Sequence, residues 1–267
     1  MHPDLPRAVK RARAIGYKSI TIDTNGFLFH DFLKKVSPSD IDFLSFSLDG
    51  ATEETNDQIR GKGVYQTCIK GIKEAVSLGF HTSLIYTVSR TNIHELPLMP
   101  PLIEAMGIKR FFIQVIGMRG NSGKENAGDV QVSKKEWLEK IPEVALDTAS
   151  RGIITTYPKV FLSPEETFEC AGIVADNYFI FPNGRVYKCP LCEDFPIHGF
   201  SFVNNVLVKT PRINETDLFE LTISEGCVMN KLIQPENLVY KKDGTSEHRI
   251  ACCMLKEEID PTAKNSR

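Results

Sequence analysis

Through residue 157 the chain repeats one pattern: a short β-branched, apolar run, a break containing polar residues or glycine, then a stretch with apolar residues at helical spacing. Nothing else in the sequence constrains the fold as much. β-α units in series place their strands parallel in one sheet with the helices outside it. The runs at 18–23 (KSITID), 43–48 (FLSFSL), 81–88 (HTSLIYTV) and 110–116 (RFFIQVI) predict four strands, and 153–156 predicts a fifth. Helices are expected at 6–15, closed by Gly16, at 27–36, at 65–78, closed by Gly79, and at 96–106, with Pro100 and Pro101 in the first turn. A longer helix is expected at 134–151, where Pro142 predicts a kink or break. Strands this apolar predict a sheet covered on both faces. Spacing alone leaves a barrel and an open doubly wound sheet both open.

From residue 158 the pattern turns irregular and rich in proline, glycine and cysteine. Residues 177–181 and 185–188 flank Pro182-Asn183-Gly184, a hairpin signal. Of the seven cysteines, only Cys68 lies in the first part; Cys170, Cys189, Cys192, Cys227, Cys252 and Cys253 all lie here. Clustering of this kind, with a Cys-x-x-Cys pair, predicts metal binding rather than a disulfide framework. Cys189-Pro190-Leu191-Cys192 follows a hairpin strand and places two sulfurs on one face, and Cys170 closes from the other side. Cys227, or one of Cys252 and Cys253, supplies a fourth ligand. Tetrahedral zinc sites usually use two Cys-x-x-Cys pairs, so a single pair favours iron–sulfur over zinc. The expected organisation is therefore an α/β part at 1–157, a small cysteine-rich α+β part at 158–260, and a disordered polar tail at 261–267.

The bulk properties exclude several classes. Hydrophobic residues make up 42% of the chain and charged residues 25%, enough for a packed core. A net charge of −2 gives no reason to expect nucleic acid or an anionic membrane as partner. No apolar run approaches the roughly 20 residues that span a bilayer. A cytoplasmic location is the expectation.

Three strands run directly into polar breaks: Thr24-Asn25-Gly26, Ser47-Leu48-Asp49-Gly50 and Ser89-Arg90-Thr91-Asn92. In parallel α/β folds the C-terminal strand ends together form the site. Glycine there lets backbone approach a ligand, and Ser, Thr and Asn offer hydrogen bonds. The alternative is that these are ordinary turns.

The stretch from Ser45 through Ser47-Leu48-Asp49-Gly50 to Arg60-Gly61 resembles the fourth-strand region of radical S-adenosylmethionine (SAM) enzymes that carry SPASM or twitch extensions. Thr21 to Gly26 is similar to their third strand and its loop, Thr87 to Asn92 to the end of the fifth, and Ile113-Gln114-Val115 to the sixth. Cys170, followed by Gly184-x-x-x-x-Cys189, resembles their auxiliary-cluster part. The resemblance implies a partial (β/α) TIM-type barrel holding SAM across its strand ends. It implies SAM contacts from Ser47 and Arg60, with Thr24 and Asn25 lining the same mouth and a backbone group near Val115 meeting the adenine. For Arg60 the competing role is a helix-end salt bridge. The second part implies an auxiliary [4Fe–4S] cluster. Complete SPASM parts hold two clusters with seven cysteines, and only six are present, so one twitch-like cluster is expected.

The family's catalytic Cys-x-x-x-Cys-x-x-Cys loop and its Gly-Gly-Glu-Pro run do not occur, and His2-Pro3-Asp4-Leu5 is similar to the residues directly after that run in the family. Cys68 stands alone on an expected helix. The expectation is an N-terminally truncated member, a peptide- or protein-modifying maturase or oxidoreductase when complete, that by itself does not cleave SAM. An upstream polypeptide completing the barrel is a possible partner, because the run at 18–23 then forms a sheet edge. The alternative is a non-catalytic iron–sulfur or zinc module for substrate or partner binding.

Overall fold

The computed structural model describes residues 2–28, 31–120, 122–123, 130–163, 165–211 and 213–262. The expected tail beyond 262, and positions 121 and 124–129 of the Gly/Asn-rich loop, lie outside the described residues. The chain divides into two compact units. One comprises 1–116, 135–157 and 257–267; the other comprises 117–134 and 158–256. Among the described residues no helix is long and apolar enough to cross a membrane.

The first unit follows the β-α repetition. Its elements are α1 (Leu5–Ala14), β1 (Thr21–Thr24), α2 (Phe32–Lys35), β2 (Phe43–Ser47), α3 (Glu53–Arg60), α4 (Val64–Ser77), β3 (Thr82–Val88), α5 (Met99–Ala105), β4 (Arg110–Val115), α6 (Lys134–Ser150) and β5 (Ile154–Pro158). The strands from β1 to β5 pair in parallel and in chain order. That order has no point where the winding reverses, so the sheet is a segment of a (β/α) barrel rather than a doubly wound sheet. β1 forms one edge of the sheet.

Burial explains why these segments hold. In α4, Cys68, Ile72 and Ala75 fall on one face and are fully buried. α4 packs on β2 and β3, where Leu44, Phe46, Leu84 and Tyr86 are also fully buried. β3 alternates, with Thr82, Leu84, Tyr86 and Val88 buried and Ser83, Ile85 and Thr87 half-buried. One face of β3 is thus fully buried and the other partly.

Two helix expectations need correction. The helix expected at 27–36 is a single turn, α2, preceded by Asp31 at φ 50°, a left-handed conformation that a right-handed helix cannot contain. Of the kink or break expected at Pro142, the break does not occur; α6 runs continuously from Lys134 to Ser150.

The second unit contains β6 (Phe161–Leu162), α7 (Ala171–Val174), β7 (Phe179–Ile180), β8 (Arg185–Tyr187), β9 (Phe200–Val203), β10 (Val206–Lys209), α8 (Thr216–Phe219), α9 (Val228–Ile233) and β11 (Arg249–Ile250). β12 (Lys256–Ile259) returns the chain to the first sheet, beside β5. Strands β7 to β10 form an antiparallel sheet, and β6 pairs with β11. Gly184, at φ 81°, turns the β7–β8 hairpin, and its N–H donates to the Phe181 carbonyl.

Candidate functional site

In the first unit, Thr24, Ser47 and Val115 close the C-terminal ends of β1, β2 and β4. The parallel register places these three ends along one rim of the sheet. Thr24 is buried, and its hydroxyl oxygen accepts the Gly26 N–H at 3.2 Å. Asn25 is exposed, and its Oδ1 accepts the Phe27 N–H at 3.2 Å. The Ser47 carbonyl accepts the Cys68 thiol at 3.5 Å. The Val115 N–H donates to the side chain of Gln114 at 3.2 Å. Arg60, at the end of α3, pairs through Nε with Asp49 Oδ2 at 2.7 Å.

Gly26 has a packing role. A Cβ on it would lie 2.5 Å from the Cys68 Cα, so its missing side chain is what lets the β1 loop rest directly on α4. Its φ of 94° also excludes most other residues.

Asp49 and Asn92 hold the rim together. Asp49 Oδ1 accepts the Thr87 N–H at 2.8 Å, and its own N–H donates to Asn56 Oδ1 at 3.0 Å. Asn92 is fully buried. Its Nδ2 donates to the carbonyls of Asp49 and Thr87, and its Oδ1 accepts from the Ser89 N–H and hydroxyl. Glu95 accepts the N–H groups of Ala51 and Thr52 and the hydroxyls of Thr52 and Thr55. Burial pushes its carboxyl up, but these hydrogen bonds prevail and hold it below the ordinary value. The loops after β2 and β3 are thus cross-braced. Ser89 and Asn92, read from spacing as ligand-facing polar groups, spend hydrogen bonds on that brace. Asn56 and Glu95 were not singled out from the sequence.

The cysteines gather in the second unit. Cys170, Cys189, Cys227, Cys252 and Cys253 line one cavity, together with Phe168, Leu218, Phe219 and Met229. Cys192 is fully buried in the adjoining core with Tyr187, Leu191 and Cys227. Cys170 stands at the start of α7, Cys227 at the start of α9, and Cys189 just before a 3₁₀ turn, Pro190–Cys192. Gly226 brings two of them together. A Cβ there would lie 2.6 Å from the Ile250 carbonyl oxygen, so only glycine lets the chain pass β11 closely enough for the Cys227 N–H to bond that carbonyl. Cys252 follows two residues on.

The neighbouring thiols shift one another. Cys252 is held low by Cys170 and Cys253 beside it, while both of those are pushed up by Cys252 and by burial. Cys192 and Cys189 likewise shift each other, the former up and the latter down. Burial pushes Cys227 up to about 12. Cys68, in the first unit, is also pushed up to about 12 by burial and stays a protonated core thiol.

Two charged residues far away in sequence clamp the Cys189–Cys192 turn. Glu215 accepts the N–H groups of Lys188 and Cys189 at 2.6 and 3.0 Å. Arg119 donates to the Pro190 carbonyl at 3.3 Å, forms an ion pair with Glu193, and pairs with Asp194 at 3.2 Å. Neither was identified from the sequence. Among the described residues no three His, Cys, Asp or Glu side chains form a group suited to a single metal ion. The cysteines border a space rather than a point.

Residues 1–99 match the radical SAM superfamily model. Over 125 residues the chain is 32% identical to Fe-coproporphyrin III synthase of Methanosarcina barkeri, covering 45% of this chain and 31% of that protein. Over 207 residues it is 28% identical to a probable GTP 3',8-cyclase of Saccharolobus islandicus, covering 72% of this chain and 64% of that protein. The chain thus spans less than two thirds of either relative. A solved structure of Streptococcus suis SuiB bound to S-adenosylmethionine aligns with a TM-score of 0.56 at 13% identity, covering 81% of this chain and 50% of that one. At that identity the likeness concerns the fold alone.

Proposed function

We propose that this chain, whose residues 1–99 match the radical SAM superfamily model, holds an auxiliary iron–sulfur cluster of SPASM or twitch type in its cysteine-rich unit. The observation that carries the proposal is the gathering of five cysteines around one cavity, with a sixth buried in the adjoining core. Iron–sulfur clusters are held by deprotonated cysteines, so binding one here would replace the thiol protons. Cys170, Cys189, Cys252 and Cys227 or Cys253 would hold such a cluster, with Cys192 behind the Cys189 turn. When bound, the cluster supplies one-electron transfer. A border of sulfurs around a space suits a polynuclear cluster better than zinc, whose four ligands close to about 2.3 Å around one ion.

The rim at Thr24, Asn25, Ser47, Arg60 and Val115 is the proposed cradle for part of SAM. The donor set of the first unit does not fit the catalytic cluster of the family. Radical generation needs three thiolates, and residues 1–157 supply only Cys68, buried and protonated. These residues alone support no SAM-cleaving step, and the chain by itself is expected to yield no 5'-deoxyadenosine from SAM under strong reductant. Detection of that product at catalytic turnover would overturn this part. Peptide or protein modification remains the proposed activity of the complete enzyme. It rests on the motif resemblance, since the curated relatives are named for two other, different reactions.

The test is anaerobic purification followed by metal analysis and visible spectroscopy. A brown protein with iron and acid-labile sulfide, lost on Cys189→Ser, is expected. A colourless protein with stoichiometric zinc would favour the second reading, a non-catalytic zinc module.

A further inference from the structure

Glu215 is fully buried, and among the described residues its hydrogen-bond donors are backbone N–H groups. Its Oε1 accepts the Lys188 N–H and its Oε2 the Cys189 N–H. Gly199 lies against the carboxylate so closely that a Cβ there would come within 3.2 Å of Oε1. The Glu215 N–H in turn donates to the Ile197 carbonyl at 2.6 Å. Both carboxylate oxygens act as acceptors, the role of the ionised form. Burying a carboxylate on backbone amides alone is expensive, and a neutral amide or an apolar residue would fill the space more cheaply.

We propose that Glu215 is a positioning residue for the auxiliary cluster: it presents Cys189 and fixes a negative charge beside that sulfur, making the cluster harder to reduce. This rests on the proposal that the cysteines hold iron–sulfur. The electrostatics are direct. Reduction by one electron, drawn from dithionite in the test, adds one negative charge to the cluster. A buried carboxylate bonded to the N–H of a ligand residue opposes that charge with little screening. Burial pushes the Glu215 carboxyl up, and the N–H groups of Lys188 and Cys189 oppose that shift by bonding the charged form.

The experiment is a redox titration, followed by electron paramagnetic resonance, of the iron-loaded full chain and two variants. Glu215→Gln removes the charge and is expected to ease reduction about tenfold, a positive shift of about 59 mV for one electron. Glu215→Asp keeps the charge and shortens the reach. It is expected to leave the potential near that of the parent while lowering iron content. A fully loaded Glu215→Gln protein with the parent's potential would overturn the proposal. Hydrogen exchange on the loaded parent gives a check that needs no variant. The Lys188 and Cys189 amides are expected to be strongly protected, and exchange at the rate of an open loop would overturn the assignment. A parent that takes up no iron defeats the cluster reading itself, whereas a loaded parent with an unshifted Glu215→Gln variant defeats only this inference.

Discussion

Asp49 Oδ2 and Arg60 Nε lie 2.7 Å apart, joining the end of α3 to the loop that leaves β2. The Asp49 side chain is only 8% exposed and that of Arg60 23%. The two sides of this pair are therefore unequal. Asp49 also takes the Thr87 N–H, so its loss strands a buried donor as well as a cation. Asp49→Ala is expected to cost about 2–4 kcal/mol, and Arg60→Ala about 1–2 kcal/mol. Urea denaturation of both variants measures this. Equal costs would show that the Thr87 bond contributes nothing.

Gly26 and Gly16 have similar φ angles, 94° and 98°, but only Gly26 touches another backbone. Gly16→Ala is expected to cost about 1 kcal/mol, for the left-handed conformation alone. Gly26→Ala adds a clash with α4 and is expected to cost about 3 kcal/mol or more. Thermal or urea unfolding distinguishes the two, and equal losses would contradict the close approach at Cys68.

The Glu95 brace has a pH signature. Its carboxyl is held below the ordinary 4.5 because hydrogen bonds outweigh the effect of burial. A group lowered in the folded state adds stability that is complete above its unfolded value and disappears as pH falls through the folded one. Parent stability is expected to fall below pH 4.5 more steeply than that of Glu95→Gln. Urea midpoints from neutral pH downward test this, and parallel curves would contradict it.

Arg119 is expected to matter through the Cys189–Cys192 turn rather than through its own exposure. Arg119→Ala frees the Pro190 carbonyl and both carboxylates just after the turn. Residues that orient metal ligands are worth about 10–100-fold in metal affinity. Iron release to a chelator is expected to be about tenfold or more faster in the variant. An unchanged release rate would mean the turn is rigid without its clamp.

The β-α order was legible because each strand run carries its own periodicity and each helix its own stop, as at Gly79. The cysteine grouping was legible as a count and a spacing, though not how Gly226 folds Cys227 back to β11. The hidden contacts share one physical cause: partners far apart along the chain. Glu215 reaches Cys189 across 26 positions and Asn92 reaches Asp49 across 43, and no local pattern marks either. Arg60 carried both readings, ligand contact and ion pair. The structure gives it the Asp49 partner. The short α2 was missed because Asp31 leaves the right-handed region, which helical spacing does not reveal.

X-ray absorption on the anaerobically loaded chain tests the central claim most directly. The account predicts an iron edge with a sulfur shell and clear iron–iron scattering, both diminished by Cys189→Ser and untouched by Cys68→Ala. A zinc edge, or a metal ringed by sulfur with no second metal nearby, would contradict it.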